Sequence, residues 1–74
     1  MEKSNREKLR ILLGHWIEHN KEHGEEFREW AEKASDIGEA VVQRDMLDAA
    51  QHMDQAAESL LKALEKLAGE SPEQ

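Results

Sequence analysis

The chain has 74 residues, room for one small domain that is marginal on its own. Charged residues make up 36% of it and the formal charge is −7, so little is available to neutralise a phosphate backbone or an anionic lipid surface, and nucleic acid and membranes are excluded as partners. There is no cysteine, which removes disulfides, iron–sulfur clusters and thiolate zinc sites.

Any metal must therefore be held by imidazole, carboxylate, amide or water. The N-terminal "MEKSNREKLR" is charged and lacks an apolar signal core, and no apolar run approaches the ~20 residues that cross a bilayer. A cytoplasmic protein is expected.

The chain is rich in Ala, Leu, Glu, Lys, Gln and Arg, with proline only at Pro72, a composition that favours helix. Ser4 followed by Glu7 reads as a capping box at the start of a first helix, 5–34. Its apolar stripe runs Leu9, Leu12, Leu13, Trp16, then Phe27, Trp30, Ala31 and Ala34. The cluster "SDIG" at 35–38 breaks the pattern, with Ser35 or Asp36 able to cap the next helix and Gly38 free to take positive φ.

A second helix, 39–68, follows with Val42, Met46, Ala49, Met53, Ala57, Leu60, Leu64 and Leu67 on its stripe. A tail at 69–74 is expected to be disordered. The fold class is all-α, a single antiparallel αα-hairpin. Two helices leave one side of both stripes wet, and Trp16, Phe27 and Trp30 demand cover. Closure into a homodimeric four-helix bundle is the expected remedy, with docking onto a different protein as the alternative.

The stretch "HWIEHNKEHGEEF" carries His15, His19 and His23 at strict four-residue spacing. At about 100° per residue, His23 shares a face with Leu9, Trp16, Phe27 and Trp30, with Asn20 beside it and His19 at the margin. His15 and Glu22 lie farther out. Folding the chain at 36 to 37 sets position i against roughly 73 − i, which places Trp16 opposite Ala56 and Ala57 and brings His52 near the level of His19 and His23. His19 and His23, one turn apart, can reach one ion, and Glu26 can add a carboxylate.

The candidate metal ligands are thus His19, His23, Glu26, His15 and His52, and such donors suit a divalent Zn, Ni, Co or Fe. The competing reading makes Asn20 and His23 a buried hydrogen-bonded pair that fixes register, with the other histidines solvated. "HWIEH" is not the "HExxH" of metalloproteases, because no glutamate follows His15 directly. Met46 and Met53 read as core filling. Catalysis has little support beyond a redox-active metal.

The stretch "LLGHWIEHNKEHGEEFREWAEKA" resembles a small uncharacterised prokaryotic family of helical hairpins with the pattern LL-x-HWIEHN-x-EH-x-x-EF-x-x-WA. That family usually has proline where Gly14 stands here, and its members sometimes sit beside metal-transport or metal-maturation proteins. The resemblance implies a helical hairpin and points toward metals through His15, Trp16, His19, Asn20, Glu22 and His23. A fainter likeness links the chain to encapsulated-ferritin and haemerythrin-type helices, but Asn20 stands where the ferritin Glu-x-x-His pair needs its glutamate. The functions expected are a metal-binding hairpin, such as a metal chaperone or sensor accessory, then a metal-free interaction module, and last a di-iron oxidoreductase.

Overall fold

The computed structural model describes residues 4–69. Two antiparallel helices fill that span, α1 at Asn5–Asp36 and α2 at Ala40–Gly69, packed along their length as a hairpin. The tail at 70–74, expected to be disordered, lies outside the described residues, while Gly69 closes α2.

Ser4 opens α1 as the cap its sequence implies: the residue is extended, and its Oγ accepts the Glu7 amide at 3.2 Å. The far end differs from expectation. Ser35 and Asp36 do not cap α2; they finish α1, two residues beyond the predicted end. The Gly38 amide donates to the Ser35 carbonyl at 3.0 Å and the Glu39 amide to the Ala34 carbonyl at 2.8 Å. This pairing is a Schellman motif, and it places Gly38 at φ 86°, a backbone conformation that is strained for any residue with a side chain. Backbone closure outcompetes side-chain capping here because it satisfies two terminal carbonyls within three residues.

The seam between the helices is built mostly from Gly and Ala, with Leu13 and Ile17 at one end. On α1 the buried line is Leu13, Ile17, Gly24, Ala31 and Ala34; on α2 it is Ala50 and Ala57. A Cβ on Gly24 would lie 3.1 Å from Asp54 Oδ1 and 3.5 Å from the Ala50 carbonyl, so the missing side chain lets the helices approach closely. Arg28 and Asp54 form an ion pair across the seam, half-exposed on its outer side.

The expected stripe is only partly the seam: Leu13, Ala31 and Ala34 are buried there, but the two indoles are not. Trp16 is 42% exposed and Trp30 58% exposed. Ala57 shares a groove with Ile17. Indoles are too wide for the close part of the contact line, so α1 turns roughly 50–60° from the expected orientation and buries Ile17 and Gly24 beside Leu13, Ala31 and Ala34.

The hairpin is a single layer, 56 × 26 × 11 Å, with no large side chain fully buried among the described residues. One flank of that layer stays apolar: Leu9, Leu12, Trp16 and Trp30 from α1, and Val42 from α2, are exposed there, beside the half-buried Phe27, Met53 and Leu60.

Candidate metal centre

His15, His19 and His23 lie on one side of α1, because residues four apart sit nearly above one another. Their rings form a row: His15 to His19 is 5.9 Å between centroids, His19 to His23 is 4.4 Å, and His23 to Phe27 is 6.0 Å with the rings stacked. The row occupies the middle of the apolar flank, between Leu12 and Trp16 toward one end and Phe27 and Trp30 toward the other.

His23 is bound at both nitrogens. Its Nδ1–H donates to Glu26 Oε1 at 3.1 Å, and its Nε2 lies 2.8 Å from His19 Nε2. An ionised carboxylate can only accept, so Glu26 fixes the proton of a neutral His23 on Nδ1 and leaves Nε2 with a bare lone pair. His19 Nε2–H then donates into that lone pair. Replacing the shared proton by a cation would turn both Nε2 atoms into ligands.

The spacing suits that exchange. Two nitrogens each 2.0–2.1 Å from one ion are about 2.9 Å apart at a right angle and about 3.3 Å apart at the tetrahedral angle. The observed 2.8 Å needs an opening of a few tenths of an ångström.

The expected five residues thus separate. His19 and His23 converge. Glu26 reaches the same imidazole from behind, as an orienting carboxylate rather than a donor aimed at the shared point. His15 ends the row with its ring tilted against that of His19, and His52 is exposed on α2.

Asn20, the expected partner of His23, is half-buried near the seam, and the His23 nitrogens are engaged by His19 and Glu26 instead. His23 itself is not enclosed in the single chain: its side chain is 42% exposed. Among the described residues no three His, Asp or Glu side chains converge as a complete ligand set.

Residues 9–67 match the family described as a domain of unknown function, DUF8180. The chain belongs to the DUF8180 family. An uncharacterized protein of Archaeoglobus fulgidus is 39% identical over 59 residues, which are 80% of this chain and 94% of the relative. No solved structure gives a significant match. No described helix is long and apolar enough to cross a membrane.

The DUF8180 span takes in all four histidines, Glu26, the Gly24 seam and the Gly38 turn, and leaves the Ser4 cap outside. Ile17 and Gly24 were the residues sequence reasoning missed. A glycine inside an otherwise uninterrupted helical pattern was the available signal, since such a residue often marks a close approach.

Proposed function

We propose that this protein is a transition-metal-binding helical hairpin, with His19 and His23 as ligands through Nε2 and Glu26 as the carboxylate that orients His23. One observation carries the reading: two imidazole nitrogens meet at 2.8 Å while the second nitrogen of one of them is held by a carboxylate. Metal-ligating histidines commonly donate their other ring N–H to such a group, which fixes the tautomer and raises ligand basicity.

Imidazole donors favour Zn, Ni, Co or Fe over Mg or Ca. The net charge of −7 raises the local concentration of cations around the site. The role proposed for this site is a metal chaperone or sensor accessory working as a homodimeric four-helix bundle. A ferritin-like di-iron role is less well supported, because Asn20 replaces the bridging carboxylate such sites need.

Calorimetric titration of the chelator-treated protein with Zn²⁺, Ni²⁺, Co²⁺ and Fe²⁺ tests this. Saturable binding by the wild type, lost in His23→Ala at unchanged helicity, is expected. Identical isotherms for the two proteins overturn the reading.

The exposed apolar flank supports a second reading, a metal-free module that docks on another protein. Partner capture that survives chelator and the His19→Ala, His23→Ala double variant would favour it.

A further inference from the structure

We infer that the His19–His23 pair is half of a four-imidazole site, completed by the same two residues of a second copy of this chain. The two α1 helices run antiparallel about a two-fold axis at the level of residue 21. This rests on the metal-binding reading and adds where the axis lies and what completes the ligand set.

The single chain lacks a layer and lacks ligands. Stable helical domains bury their apolar faces between two packed layers, and this hairpin is one layer, 11 Å thick. Its flat side, about 56 by 26 Å, has room for the roughly 800 Å² per partner that a stable interface covers. Two nitrogens per chain are half of a tetrahedral set, and no third donor converges on them among the described residues.

The pattern of the exposed flank identifies the occupant as a second copy. On α1 the stripe reads nearly the same from either end. Leu12 and Trp30 have their midpoint at residue 21, as do His19 and His23, and Trp16 and Phe27 have theirs half a residue further on. On α2, Val42 with Leu67, Ala49 with Leu60, and Met53 with Ala56 all have their midpoint between residues 54 and 55.

These two centres lie at one level of the hairpin. Lys21 and Asp54 line the same groove, and Gly24 lies against Ala50 and Asp54. A two-fold axis in the plane of the interface, perpendicular to the helices, passes through both.

About that axis Leu12 meets Trp30, Trp16 meets Phe27 and the α2 pairs meet one another across the two copies, while Leu9 at the end of the stripe falls opposite Lys33. His19 meets His23 of the other copy, and the polar centre of the stripe faces only itself. Self-matching is what an isologous interface requires and what an unrelated partner has no reason to share. The paired α1 stripe residues are uncharged, so the −7 charge of each chain opposes association mainly at long range, and a dication on the axis offsets part of that repulsion. Metal therefore strengthens the dimer.

Native mass spectrometry of the full chain, in EDTA and with one equivalent of Zn²⁺ per chain, reads stoichiometry and assembly together. A dimer holding one zinc is expected, with the apparent dimer dissociation constant lowered about tenfold or more by Zn²⁺ through mass action. One zinc per monomer overturns the inference and leaves the metal-binding reading standing; no zinc on any species overturns both.

Nitroxide labels on Glu22→Cys and Arg10→Cys locate the axis, since the chain has no other cysteine. In the zinc dimer the labels at 22 should lie within the ~20 Å reach of neighbouring helices, and those at 10 should be about 33 Å apart along the helix from the 1.5 Å rise per residue. Labels at 10 that lie close together, as parallel α1 helices require, overturn it. Trp16→Glu alters the flank and spares the seam, so helicity should persist while dimer and zinc affinity both fall; a zinc dimer unchanged by it overturns the inference.

Discussion

His19 and His23 face each other across one turn of α1 with their Nε2 atoms 2.8 Å apart, and Glu26 holds the opposite nitrogen of His23. This arrangement places the His23 Nε2 lone pair, with the His19 Nε2–H that donates into it, on the flank of the hairpin rather than in its seam. The chemistry of the site follows from that placement.

Metal should stabilise the fold. A ligand that binds only the folded state at a hundredfold excess over its Kd adds about 2.7 kcal/mol. A thermal melt with Zn²⁺ or Ni²⁺ should therefore rise by many degrees over the melt in EDTA, and His23→Ala should show no rise. Because protons compete for the same imidazole nitrogens, the stabilisation should vanish on acidification.

Glu26→Gln tests the orienting role. An amide can still accept from Nδ1–H but carries no charge, so metal affinity should fall about 10–100-fold, the usual cost of losing such a group. Helicity should stay unchanged, since Glu26 is exposed and makes no contact across the seam. Calorimetry and circular dichroism on the same samples check both halves of the statement.

The two glycines of α1 should respond in opposite directions. Gly14 has nothing within 4 Å of an added Cβ, so Gly14→Ala should stabilise by about 0.5–1 kcal/mol through helix propensity. Gly24 faces Ala50 and Asp54, so Gly24→Leu should cost about 1–3 kcal/mol by overpacking the seam. Urea denaturation of the two variants beside the wild type measures both.

Arg28→Ala should cost little despite breaking the cross-helix ion pair. Both side chains are about half-exposed, where water and salt screen the interaction, and such pairs are worth about 0.2–1 kcal/mol. Denaturation in low and high salt should show the difference shrinking as ionic strength rises.

Much of the hairpin was readable because its signals are local. Ser4 with Glu7, the glycine at 38 and the three–four spacing of apolar residues each act within one or two turns. The orientation of α1 was not readable in the same way. The expected stripe held Leu13, Ala31 and Ala34, which are buried, but it also held Trp16 and Trp30, which are exposed, and it lacked Ile17 and Gly24, because the close approach at Gly24 admits no indole beside it.

For the site, the i, i+4 spacing identified His19 and His23 as neighbours. It could not tell that Glu26 would bind His23 from behind, since that depends on side-chain rotamers. Nor could it place His52, whose position follows from the register between the helices.

The most direct test observes the histidine side chains themselves. Long-range ¹H–¹⁵N spectra of the imidazoles, recorded through a Zn²⁺ titration, report each ring nitrogen separately. Large shifts at Nε2 of His19 and His23, with His23 Nδ1 still protonated and His52 unmoved, are expected. Spectra in which His19 and His23 are unchanged at saturating zinc would contradict the proposed site.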